Sequence, residues 1–120
     1  MTNTRMNKPM AGYHMLMILS AVDFKFHPEE DRVIRTFLTE EFPFPVNLDR
    51  EMDIISQLKP EEWKAHFTAC LYDFEEDTTP QERTRFLQFA MNLVKADNHI
   101  HDSENEYLMQ LFNAWDFHVE

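Results

Sequence analysis

Residues 95–104 read KADNHIHDSE, and residues 21–30 read AVDFKFHPEE. Aligned without a gap, the two segments share an aspartate, a histidine and a glutamate: Asp23 with Asp97, His27 with His101, and Glu30 with Glu104. Apolar residues on both sides of each segment also match, and they recur at the spacing of a helix face. We therefore predict two pseudo-repeated helix–acidic turn–helix units, which the rest of the chain connects and covers.

The composition indicates one folded, acidic domain. Of the 120 residues, 43% are hydrophobic and 13% aromatic, which is enough for a packed core. A single glycine argues against β-hairpins and glycine-rich phosphate loops. The net charge of −11 disfavours nucleic-acid binding and favours cations and basic protein partners. No run reaches the roughly 20 apolar residues that span a bilayer, and we expect a cytoplasmic protein.

The apolar periodicity predicts an all-α, compact bundle of about six helices without strands. We expect residues 1–9 to form a flexible N-terminal tail and residues 10–120 to form the helical domain. The first helix is predicted over 10–24, and the second begins at Pro28 with Val33 in its buried stripe. Asn47 or Asp49 caps the third, a proline opens the fourth, and residues 79–82 form a capping box before the fifth. The acidic run 75–77 is expected to be a solvated loop, because negative charge opposes the carbonyl end of a helix.

The repeated acids admit two explanations. Asp23 and Asp97 lie in the predicted last turns of helices, where exposed carbonyls disfavour a carboxylate by about 0.3–1 kcal/mol. In the structural explanation, which is the more common one, these acids close Asx-type turns or reach back to cap amides. In the second explanation they hold a divalent ion. Oxygen ligands suit Ca²⁺ or Mn²⁺, and imidazoles shift the preference towards Zn²⁺. The candidate metal ligands are Asp23, Glu30, Asp97, Glu104, His27 and His101.

These segments resemble a known family. In TerB-like domains a helix ends in Ala-Asp-Gly, an apolar residue follows, and a second helix carries Glu seven places after the Asp. Residues 22–30 and 96–104 resemble the two copies of this signature, with Phe24 and Asn98 in place of the glycine. The family includes tellurite-resistance proteins and the amino-terminal region of DjlA-type co-chaperones. The resemblance implies a non-enzymatic, all-helical module of stress or tellurite response that binds protein partners. It also implies that divalent cations are held by Asp23, Glu30, Asp97 and Glu104.

Two other functions stay open. The chain could be a small metal-dependent enzyme that uses the Asp, His and Glu residues of the turns, or a protein-interaction scaffold without metal. Glu62 and His66 could share a metal or a proton, although an exposed helix pair is the more common arrangement. Cys70 could act as a nucleophile beside a distant histidine, but nothing in the sequence positions such a histidine. We therefore expect Cys70 to be a small buried core residue.

Overall fold

A computed structural model describes residues 7–20, 28–43, 46–95 and 102–115. Within these ranges the chain forms six α-helices and no strand, which confirms the predicted all-α bundle. None of the described helices is both long and apolar enough to cross a membrane. The helices are α1 (Lys8–Ser20), α2 (Pro28–Glu41), α3 (Leu48–Ser56), α4 (Trp63–Asp77), α5 (Pro80–Lys95) and α6 (Asp102–Ala114), and a 3-10 turn over Pro60–Glu62 leads into α4.

Helix α1 is the centre of the bundle and packs against the other five helices. Every residue from Ala11 to Ser20 is buried, so this helix is covered on all sides. Such burial is typical of a helix that is apolar around its whole circumference. The helix begins at Lys8, two residues before the predicted start. The Lys8 amide donates to Asp77 at 3.0 Å, and its ammonium donates to Glu82 at 3.1 Å.

The single glycine marks the closest approach of α1 to its neighbours. A Cβ atom on Gly12 would lie 3.1 Å from the Phe86 ring, 3.2 Å from Leu38 and 3.4 Å from the Phe74 ring. The first two distances are shorter than ordinary van der Waals contact, so an added Cβ would require the Phe86 and Leu38 side chains to shift by a few tenths of an ångström. Glycine is therefore used here for close packing, at a position where it would otherwise weaken a helix.

Helices α2 and α3 are tied to α1 by a polar network. The Tyr13 hydroxyl donates to Asp31 at 2.6 Å, and Arg35 donates to Asp31 at 3.0 Å and to Asp49 at 2.7 Å. Burial raises the pKa of Tyr13, and the Asp31 carboxylate raises it further, so the hydroxyl stays protonated. The prediction that Val33 is buried is wrong, since its side chain is 49% exposed.

The acidic run 75–77 forms the last turn of α4 and not the predicted solvated loop. The Arg83 guanidinium donates to the carbonyls of Glu75 at 3.0 Å and Thr78 at 2.7 Å, and the Thr78 hydroxyl donates to the carbonyl of Phe74 at 2.7 Å. A cation and a hydroxyl thus satisfy the carbonyl end of the helix. They offset the unfavourable acidic side chains, which is why the helix continues.

Two helix starts follow the predicted capping chemistry. The Asn47 side chain accepts from the Arg50 amide at 3.1 Å and caps α3. At α5 the Glu82 amide donates to the Thr79 hydroxyl at 3.2 Å, and the Thr79 amide donates to the Glu82 carboxylate at 2.9 Å. This reciprocal pair is the predicted capping box.

Candidate functional site

Most of the predicted metal ligands lie outside the described residues. This holds for Asp23, His27, Asp97 and His101, and for the side chain of Glu104, whose backbone lies in the first turn of α6. Glu30 is described: it lies in the first turn of α2 and is half-buried. The convergence of these acids therefore stays a prediction.

A different polar cluster lies inside the bundle, where α1, α3 and α4 meet. It consists of His14 from α1, Glu51 from α3, and His66 and Cys70 from α4. His14 is 0% exposed, Cys70 1% and Glu51 3%, while His66 is half-buried. We call these four residues the inner cluster. Burying so many polar groups is costly unless they find partners.

The inner cluster is a chain of short contacts. Glu51 Oε1 lies 2.8 Å from His14 Nε2, and His14 Nδ1 lies 2.8 Å from His66 Nε2. His66 Nε2 in turn lies 3.5 Å from Cys70 Sγ. With Glu51 ionised, His14 Nε2–H donates to the carboxylate, and Nδ1 of the neutral ring accepts from His66 Nε2–H. Both ring nitrogens of His14 thus have a partner, and so does Nε2 of His66.

Local sequence explains why these side chains converge. His66 and Cys70 are four residues apart on α4 and therefore share one helix face. Glu51 and Ile55 have the same spacing on α3 and are the buried residues of that helix. Glu51 thus occupies a position that an apolar residue would normally fill. His14 lies in the wholly buried part of α1.

Burial controls the protonation of the inner cluster. It lowers the pKa of His14, although the Glu51 carboxylate opposes the shift. It also lowers the pKa of His66, with His14 adding to the effect. The pKa of the Cys70 thiol is raised to about 12, mainly by burial and to a lesser extent by the charges of Asp73 and Glu51. At neutral pH the two rings are neutral and the thiol is protonated.

This arrangement suits ion binding better than nucleophilic catalysis. A nucleophilic cysteine needs a thiolate and access to a substrate, whereas Cys70 is a protonated thiol that is 1% exposed. One nitrogen each from His14 and His66 and the sulfur of Cys70 all lie within 4.8 Å of one another. Among the described residues this is the group of His, Cys, Asp or Glu side chains close enough to share a metal ion.

The sequence patterns did not indicate His14 and Glu51 as partners of the cysteine. The spacing of His66 and Cys70 was a readable signal, because residues four apart on a helix can hold one ion. A second signal was Glu51, an acid in a core-facing position of an amphipathic helix. Pairing these residues with His14 required the packing of three helices, which no local pattern encodes.

A surface groove lies between α4 and α6. It has a volume of about 800 Å³ and is lined in part by Leu71, Tyr72 and Met109. Tyr72 is 59% and Met109 46% exposed. The two helices run in the same direction and are bridged by long side chains, as in the hydrogen bond of 2.6 Å that Gln110 donates to Thr68.

The comparisons with known proteins point to one family. The family model described as tellurite resistance protein TerB matches residues 10–118, which is nearly the whole chain. Neither a curated protein nor a solved structure gives a significant match. The family match covers all of the helical domain predicted from the repeat apart from its last two residues, and it includes both acidic segments. The chain belongs to the TerB family.

Proposed function

We propose that this chain is a non-enzymatic module of the tellurite-resistance family that binds a divalent cation through its two acidic turns. The observation that supports the proposal most is where the helices end. α1 ends at Ser20 and α2 begins at Pro28, while α5 ends at Lys95 and α6 begins at Asp102. Each acidic segment thus joins two consecutive helices, as the repeat predicts.

Packing and charge add support. α1 packs against α2, and α5 against α6, and α1 also packs against both α5 and α6. The four helices that flank the acidic segments therefore belong to one packed unit. A chain of net charge −11 gains more from a bound divalent ion than a neutral one does. Carboxylate oxygens are the ligands that Ca²⁺ and Mn²⁺ prefer.

A non-enzymatic role is supported by the family and by the inner cluster. TerB domains are generally non-catalytic helical domains. The inner cluster holds the buried thiol and both described histidines, and it offers no exposed nucleophile. The expected cytoplasmic location stays a prediction.

The cation proposal is tested by thermal unfolding with millimolar Ca²⁺ or Mn²⁺. An ion bound only by the folded state stabilises it by about 1.4 kcal/mol at ten times its dissociation constant, which raises the midpoint by several degrees. We expect Asp97→Asn to lose most of this rise. Asp53→Asn, which removes an exposed acid from α3, is the matched control and should keep it. Potassium chloride at equal ionic strength corrects for screening. Equal shifts in all three proteins would reject the acidic turns as the binding site.

The groove between α4 and α6 favours a second candidate function, a protein-interaction scaffold. We propose that its occupant is a basic amphipathic helix of a partner protein. Exposed Tyr72 and Met109 offer apolar contacts beside polar lining residues such as Gln110 and Asn113, and the acidic residues 75–77 lie at the end of α4. An apolar groove between two helices fits a third helix, and the acidic chain favours a basic one.

A synthetic peptide tests this second candidate. We expect a helical peptide with a leucine face and lysine flanks to bind, and Tyr72→Ser to weaken the binding at least tenfold. A peptide with the same apolar face and glutamate flanks is the control. If the glutamate peptide binds equally well, or if Tyr72→Ser has no effect, the groove does not select a basic helix.

A further inference from the structure

We propose that His14, His66 and Cys70 form a binding site for a transition-metal ion of the Zn²⁺ class, separate from the acidic turns. The donors are His14 Nδ1, His66 Nε2 and Cys70 Sγ, which lie within 4.8 Å of one another. Imidazole nitrogen and thiolate sulfur are both ligands that zinc takes in proteins. This site does not depend on the acidic turns, because it shares no residue with them.

The distances are close to those that a tetrahedral ion requires. Zinc binds nitrogen at about 2.0–2.1 Å and sulfur at about 2.3 Å, so tetrahedral ligands lie about 3.3 Å apart for two nitrogens and about 3.5 Å for nitrogen and sulfur. The observed nitrogen–sulfur distance from His66 to Cys70 is 3.5 Å. The two imidazole nitrogens, at 2.8 Å, are hydrogen-bonded and must separate by about half an ångström. The third gap, between His14 and Cys70, is within 4.8 Å and must close to about 3.5 Å. We expect rotations of the three side chains to supply both changes.

The three ligands come from two helices that pack against each other, which fixes their relative positions. His66 and Cys70 lie one turn apart on α4, which is the spacing that lets two residues of one helix grip the same ion. His14 comes from α1, which packs along α4. Three protein ligands leave a fourth tetrahedral position for water. His66 is half-buried, so solvent reaches the site on the side of this residue.

Glu51 acts as a positioning residue. Its carboxylate accepts from His14 Nε2 at 2.8 Å, which fixes the tautomer of the ring and leaves the lone pair of Nδ1 for the ion. A carboxylate behind a histidine ligand is the usual outer partner at zinc sites, and it raises the basicity of the ligand.

Charge balance also favours a divalent ion. Ion binding requires Cys70 to release its proton to solvent and His66 to carry its proton on Nδ1. The thiolate and the Glu51 carboxylate then supply two negative charges against the two positive charges of the ion. A buried site of zero net charge avoids the large cost of an isolated buried ion. Thiolate and imidazole ligands select Zn²⁺ or Co²⁺ over Ca²⁺ and Mg²⁺.

Cobalt is the probe that tests this site. Co²⁺ bound to a thiolate gives a charge-transfer band in the near ultraviolet, and Cys70 is the single cysteine of the chain. We expect the full-length reduced protein to develop this band on titration with Co²⁺, and Zn²⁺ to displace the cobalt and abolish the band. Cobalt binding without a thiolate band, or no binding at all, would overturn the proposal.

Variants separate ligands from bystanders. We expect Cys70→Ser to lose the band and His66→Gln to weaken Zn²⁺ binding at least a hundredfold. The positioning residue should have a smaller effect, with Glu51→Gln weakening binding 10–100-fold while the band keeps its shape. Asp97→Asn is the control and should bind Zn²⁺ as tightly as the wild type. If Cys70→Ser does not fold, His66→Gln and the wild-type spectrum still decide the matter. Unchanged Zn²⁺ affinity in His66→Gln would reject the site.

Discussion

Glu51 and Glu82 are both helix carboxylates with hydrogen-bond partners, yet they belong to contrasting regions of the molecule. Glu51 is 3% exposed inside the bundle, and its partner is His14, which is fully buried. Glu82 lies at the surface start of α5, where its partners are the Thr79 amide and the Lys8 ammonium. Water can replace the carboxylate at α5 but cannot reach the buried ring. The contribution of a carboxylate to the stability of the fold therefore depends on whether its loss leaves a buried partner without a hydrogen bond.

The largest effect is expected at Glu51. Its replacement by alanine leaves the buried N–H of His14 without an acceptor and opens a cavity, which should cost about 3 kcal/mol of unfolding free energy in the metal-free protein. Urea unfolding measures this cost. Asp53→Ala, on the exposed side of the same helix, is the matched control and should stay within about 0.5 kcal/mol of the wild type. Equal costs for the two variants would show that the buried hydrogen bond between Glu51 and His14 adds no more to the unfolding free energy than an exposed carboxylate does.

A smaller, pH-dependent effect is expected at Glu82. Burial alone would raise the pKa of this carboxyl, but the Thr79 amide and the Lys8 ammonium outweigh it and lower the pKa below its usual value. A lowered pKa in the folded state gives stability that is fully present above the unfolded pKa of about 4.5 and is lost as the pH falls through the lower, folded-state pKa. Glu82→Gln should therefore cost about 1 kcal/mol at pH 7 and progressively less as the pH falls through the folded-state pKa of Glu82.

Thermal unfolding of the wild type and Glu82→Gln across this pH range gives the measurement. A constant difference between them would mean that the shape of the side chain matters and its charge does not. Glu82 would then differ from Glu51 only in the size of its contribution to the free energy of unfolding.

The smallest effect is expected at Asp97 in the absence of divalent ions. Asparagine keeps the shape and the acceptor of an Asx-type turn and removes a charge that opposes the end of α5. We expect Asp97→Asn to change the unfolding free energy by less than about 0.5 kcal/mol. Urea unfolding in the presence of a chelator measures it. A loss of 2 kcal/mol or more would assign Asp97 a structural role as heavy as that of Glu51.

The sequence predicts most of the helical architecture because its signals are local. Pro28, the capping box at 79–82 and the cap at Asn47 each determine a helix start through groups within three residues. The acidic run at 75–77 escaped prediction because the group that stabilises it comes from the next helix. Arg83 reaches back to the carbonyls of Glu75 and Thr78, and no rule based on the acids alone includes that contact.

The two candidate sites differ in the same way: one has a local sequence signal, and the other depends on contacts between distant residues. The acidic turns can be predicted from the sequence because the same residues occur in both copies of the repeat. The inner cluster draws on residues 14, 51, 66 and 70, so its parts are separated by up to 56 positions along the chain, the separation of His14 from Cys70. Only the pair on α4 has a local signature. The packing of α1 against α3 and α4 brings the others to it, and burial then sets their protonation.

The burial of Cys70 has a practical consequence for the dynamics of the bundle. Cys70 is 1% exposed, so a thiol-modifying reagent can reach the sulfur only in molecules that have opened locally around it. The labelling rate therefore equals the rate of an exposed thiol multiplied by the fraction of open molecules, as in hydrogen exchange. Each 1.4 kcal/mol of opening free energy slows labelling tenfold. Because Cys70 is the single cysteine of the chain, its labelling rate reports local opening at the centre of the bundle.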